Sequence, residues 1–190
     1  MRALSSALQL GLCLSLLLAP ARAASPAAQT PTESQLKAAF LLNFARFVTW
    51  PSHVFESADT PLVFGIVADP RLASDLESIL RERGLDGRPV VVRPAPTWRD
   101  LPACHIVHFA ANADWRLAEA LQSLHTAGTL TTGEIDGFAR RGGVIHLVRD
   151  GTRLRFEVNL ASASTANLRV HAQLLRLAQR IHRAPNEPSP

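Results

Sequence analysis

Apolar positions along the chain recur at two periods. Over residues 33–48 they fall three and four apart, at Leu36, Phe40, Phe44 and Phe47, with Ala39 and Leu42 widening the stripe. That spacing predicts an amphipathic helix, and its aromatic residues read as core. Thr32 stands where an N-cap belongs, Gln35 completes a capping box, and Pro51 stops the helix. Residues 61–68 form a continuous apolar run of strand length, the pattern of a strand covered on both faces. Asp69-Pro70 then opens a helix to Arg83, with Asp69 as cap and Pro70 at the first helical position. The alternation continues with a turn at 84–87, a strand at 89–93, a Pro-rich loop, a strand at 104–109 and a helix from about residue 113 to 126. A short strand at 128–132 and a short helix at 135–141, ended by Gly142-Gly143, complete the series. Strands alternating with helices predict a mostly parallel α/β sheet with helices on both faces.

The C-terminal third departs from that rule. Residues 144–149 and 152–159 flank Asp150-Gly151, which predicts an antiparallel hairpin. With Asp150 and Gly151 as the two turn residues, Leu147 faces Leu154 and Ile145 faces Phe156 on the buried side. Val144, His146 and Val148 then lie with Arg153, Arg155 and Glu157 on an exposed polar side. A long helix over 164–182, with Leu168, Leu175 and Ala178 spaced for packing, closes one domain spanning 33–183. The Pro-rich residues 184–190 read as a disordered tail.

The N-terminus changes the picture of where this domain works. Met1-Arg2, an apolar run over 8–19 and Ala21-Arg22-Ala23 predict a signal peptide of residues 1–23, followed by a loose leader over 24–32. The apolar run is too short to span a bilayer, so the reading is an exported soluble protein. Cleavage removes Arg2 and Arg22 from the 20 Lys and Arg, leaving 18 cations against 16 anions. So small a balance argues against a nucleic-acid partner. It also removes Cys13, so Cys104 is the lone thiol of the mature chain and no intramolecular disulfide forms. Cys104 reads as an inert strand residue.

Several segments, taken in order, carry a resemblance. Residues 36–51 (LKAAFLLNFARFVTWP), 61–68, 101–108 (LPACHIVH), 130–145, Arg155-Phe156-Glu157-Val158-Asn159 and 174–178 are similar to the YfiR family, over residues 33–181. The resemblance implies a non-catalytic periplasmic regulator that binds and inhibits the periplasmic sensor domain of an inner-membrane diguanylate cyclase, lowering cyclic-di-GMP signalling and biofilm formation. It also implies sequestration by an OmpA-like outer-membrane lipoprotein and a homodimer. The disulfide-linked redox behaviour of the best-known member does not carry over to a chain with one mature cysteine. A periplasmic small-ligand sensor is the alternative, because open α/β sheets offer a crevice at their strand ends.

Candidate chemistry agrees with a binding role. The chain has no Gly-x-Ser-x-Gly elbow, no Walker loop, no dinucleotide fingerprint and no zinc-protease motif, so neither an enzyme class nor a cofactor is implied. His105 and His108, three apart on a strand, point to opposite faces and do not read as a metal site. Arg169 and His171 at the start of the last helix, with Arg155 and Glu157 on the adjoining strand, read as a partner- or anion-binding surface. Asn159 reads as a helix cap. Trp98, in a loop between Arg93 and Arg99, is either a contact anchor or a ring folded back on the sheet.

Overall fold

The computed structural model describes residues 30–55, 57, 59–113 and 116–183; the signal segment, most of the leader, Trp115 and the tail lie outside them. In chain order the elements are α1 (Glu33–Arg46), β1 (Val48–Thr49), β2 (Leu62–Val67), α2 (Pro70–Arg83), β3 (Val90–Ala95), β4 (Ile106–Phe109), α3 (Leu117–Thr126), β5 (Leu130–Gly133), β6 (Ile145–Asp150), β7 (Arg153–Asn159), α4 (Leu160–Thr165), β8 (Arg169–Val170), α5 (Ala172–Leu175) and β9 (Arg180–His182). Seven strands form one sheet in the order β3-β2-β4-β5-β6-β7-β9, and β1 and β8 form a second, two-stranded sheet. Strands β3 to β6 are parallel, β7 runs antiparallel to β6, and β9 parallel to β7. The fold is thus a single α/β domain with a mostly parallel sheet.

Strand alternation divides the core. Phe64 and Ile66 of β2 and Ile106 of β4 pack with α1 and α2 on one face. Val67, Val107 and Phe109 pack with α3 on the other, around Phe138. Phe44 is buried, and Phe40 and Phe44 meet Phe156 of β7 at 6.0 and 5.2 Å between ring centres. The predicted caps are present: Gln35 N donates to Thr32 Oγ1 with the reciprocal bond, and Leu72 N donates to Asp69 Oδ1 at 2.9 Å.

Four expectations are corrected. No long helix spans 164–182. Instead α4 begins at Leu160 and ends in a Schellman motif: Asn167 takes a left-handed φ of 56°, its N–H bonds Ser164 O, and Leu168 N–H bonds Ala163 O. The chain then turns extended, and Val170 pairs with Val48, so β-pairing overrides the helical spacing. Residues 135–141 form a series of turns, because Gly137 and Gly142 take positive φ. Helix α3 starts at Leu117, since Arg116 is left-handed. The hairpin register differs by two residues: Asp150 faces Arg153, Leu147 faces Phe156 and His146 faces Glu157. The turn residues are therefore Gly151 and Thr152, with positive φ at Gly151, as glycine at the first position of a two-residue turn permits. A shift of two keeps each residue on its predicted face.

Candidate functional site

Helix α1 delivers the chain into β1, and the Schellman turn after α4 delivers it into β8, so the two short strands meet. Thr49 is opposite Arg169, and His171 N donates to Phe47 O at 2.9 Å. His171 Nε2 lies 2.8 Å from Thr49 Oγ1, with the Phe47 ring edge-on to the imidazole. Arg169 and His171 are two apart in extended backbone, so their side chains project to the same side, which a helix would not allow. Both are exposed. Arg169 borders a cleft of about 680 Å³ lined also by Thr49, Trp50, His53 and Asn167, and His171 reaches its edge only through Thr49. The long helix start expected to assist them is replaced by β8, which carries Arg169, and by the single-turn helix α5, whose N-cap is His171.

The other predicted residues fall elsewhere. Arg155 and Glu157 sit on β7 of the large sheet, on the face that also carries His146 and Arg180. Arg153 and Arg155 are exposed as expected, whereas His146 is only 6% exposed and Glu157 half-buried, a correction to the fully exposed polar face. Glu157 turns from its neighbouring arginines to His182: His182 Nε2 is 2.9 Å from Glu157 Oε2, His146 Nδ1 3.8 Å and Arg180 Nε 3.9 Å from the carboxylate. Burial pushes the Glu157 carboxyl up, but the His182 hydrogen bond and the fields of His182, His146 and Arg180 outweigh it and hold it below the usual range. Asn159 caps α4 as expected, accepting from Ser162 N at 3.0 Å, and its amide donates to Ala139 O. Trp98 is half-buried in a short 3-10 turn and packs on the second core cluster with Arg99 over its ring, so it is the ring folded back on the sheet.

The clusters that sequence reasoning missed are buried or half-buried. The His146–Glu157–His182 group was hidden by the two-residue register shift and by the placing of His182 on a helix. A second network joins α1 to the sheet: Lys37 Nζ reaches Glu134 Oε2 at 2.7 Å, Glu134 Oε1 is 3.2 Å from His108 Nε2, and His108 Nδ1 is 2.9 Å from Thr132 Oγ1. His105 goes a different way, stacking on Phe55 at 4.6 Å and accepting from Val63 N. Among the described residues no group of three potential ligands is placed to hold a metal ion. Cys104 is half-buried; desolvation, against the opposing field of Arg93, pushes its thiol up to about 11, which makes it a poor nucleophile.

Burial lowers the pKa of His105, His125 and His146. A histidine depressed in the folded state stabilises fully above its unfolded value of about 6.5 and loses that contribution as pH falls through the folded value. Glu134 and Glu157 are held low, so their contribution is lost only later, below about 4.5. The melting temperature therefore falls in two stages on acidification. A calorimetric pH series that is flat from neutrality to about pH 4.5 contradicts this.

The molecule is thus an α/β domain with an open cleft beside Arg169. The YfiR/HmsC-like family model matches residues 34–179, and the chain belongs to that family. No curated protein matches it. Among solved structures, a conserved domain protein from Vibrio cholerae is similar at 11% identity and a TM-score of 0.56, covering 79% of this chain and 60% of that one; the likeness is one of fold. The ABC domain in complex with L-Trp from Streptococcus pneumonia is similar at 11% identity and a TM-score of 0.45, covering 78% and 60%. The chain thus spans about 60% of the length of either. Among the described residues no helix is long and apolar enough to cross a membrane.

Proposed function

We propose that this chain is a periplasmic, non-catalytic regulator, exported by a cleaved signal peptide, that binds and inhibits the sensor domain of an inner-membrane diguanylate cyclase. The observation that carries this reading is the family match over residues 34–179, from the first turn of α1 to the segment before β9. The resemblance supplies the target, together with sequestration by an OmpA-like lipoprotein and homodimer assembly as parts of the same proposal. The exposed Arg169 beside the cleft supports it, since a cation at the rim of an interface steers partners of opposite charge, and the exposed His171 next to it adds a hydrogen-bonding group. Deleting the gene raises cellular cyclic-di-GMP, and the exported protein restores it; unchanged levels on deletion overturn the cyclase assignment.

Replacing Arg169 and His171 together by alanine costs no more than about 1 kcal/mol of stability, since both are exposed and the chief loss is the His171–Thr49 hydrogen bond. The same variant binds the isolated sensor domain about tenfold more weakly in calorimetry, a loss of about 1.4 kcal/mol. Unchanged affinity removes both residues from the contact surface. The cleft of about 680 Å³ favours one second reading, a small-ligand sensor, because its size lies within the range of small-molecule sites. A ligand that raises the melting temperature distinguishes it.

A further inference from the structure

Strand β3 ends the seven-stranded sheet, and among the described residues no strand pairs with its outer side. Its hydrogen-bond parity follows from the register. Leu62 N donates to Pro89 O and Ala68 N to Ala95 O, both at 2.9 Å, with Leu62 opposite Val90 and Val67 opposite Ala95. In a parallel pair that pattern turns the backbone groups of Val91, Arg93 and Ala95 toward β2. The N–H and C=O of Val90 and Val92 face outward, as does the C=O of Pro94.

Pro94 stands at the outward parity, where a missing N–H costs the sheet nothing, and it ends the run of open donors. Beside this edge runs a groove of about 400 Å³ between β3 and α2. Leu80 and Val90 supply apolar surface to it, and Arg81, Arg88 and Arg93 outnumber the single carboxylate, Glu77.

We propose that this edge is a strand-addition site for an extended, acidic segment of a partner protein. Main-chain bonds to Val90 and Val92 would hold the segment, and its carboxylates would meet the guanidiniums of Arg81 and Arg93, while Arg88, bound to Thr60 O and stacked on Phe55, adds its positive field. The proposal does not rest on the identity of the cyclase target. A strand limited to these two residues by Pro94 takes a short segment, with affinity that weakens as salt rises.

The test uses the isotope-labelled mature chain and a short peptide alternating glutamate with valine, beside its lysine counterpart. The acidic peptide slows amide exchange at Val90 and Val92 and the basic one does not. Val90→Pro deletes one outward donor at the parity Pro94 already occupies, and weakens binding by about three- to tenfold. Arg81→Glu with Arg93→Glu, two exposed positions, abolishes the preference for the acidic peptide while leaving the melting temperature unchanged. Absence of protection at saturating peptide overturns the proposal. So does protection of both amides in the chain alone, whether with a sedimenting dimer, which makes a second copy the occupant, or as a monomer, which makes it a segment of this chain.

Discussion

Gly143→Ala lowers the melting temperature by about 6–12 °C, from a cost of about 3 kcal/mol at about 2–4 °C per kcal/mol in a domain of this size. A Cβ at this position would stand 2.0 Å from Phe138 Cε1 and 2.1 Å from Cδ1. The ring has nowhere to go. Phe138 is fully buried, a Cβ on Gly133 would lie 2.7 Å from its other edge, and Phe109 and His146 pack against it at 5.9 and 6.5 Å. Gly143 has no positive φ, so the cost is steric rather than conformational. Combining the change with Phe138→Leu therefore recovers more than half of the loss, since a smaller side chain opens the space. A double variant whose losses simply add would show that the ring contact is not the cause.

Lys37→Met costs about 3 kcal/mol in urea unfolding, because it leaves Glu134 charged in a buried place. The lysine side chain is 13% exposed and the glutamate 16%, and the two are held 2.7 Å apart above the ends of β4 and β5. His108, fully buried, bonds the other carboxylate oxygen and is itself held by Thr132, so the carboxylate cannot swing out to water without stranding the imidazole. Glu134→Gln in the same chain removes the stranded charge, and the pair of changes together costs less than Lys37→Met alone. A cost under about 1 kcal/mol for Lys37→Met shows that the network is solvated and the argument wrong.

Local chemistry made the first two-thirds of the fold legible. Thr32 with Gln35, and Asp69 with Pro70, mark helix starts through bonds made within four residues, and the apolar runs at β2 and β4 follow from burial on both faces. The C-terminal third was misread because its structure depends on distant partners. Leu168 and Leu175 sit at helical spacing, yet Val170 is drawn out to Val48, more than a hundred residues earlier. The one local sign was Asn167, a residue able to take the left-handed position that ends α4.

The candidate site was legible in part for the same reason. Arg169 on β8 and His171 just after it stand together, while Arg155 and Glu157, grouped with them by sequence, lie on the other sheet. Trp98 could be read either way because only the core beneath it decides. The edge at β3 left one trace, Pro94 within an otherwise regular strand, whose meaning needs the register to be known.

Lys37 is the only lysine among nineteen arginines, and it is shielded by Glu33 and Glu134. Amine-directed reagents therefore attach to the native domain through its α-amino group, which gives a single tether or dye site without mutagenesis. Modification of Lys37 itself then reports opening of the structure, so the rate of its acylation doubles as a clock for unfolding.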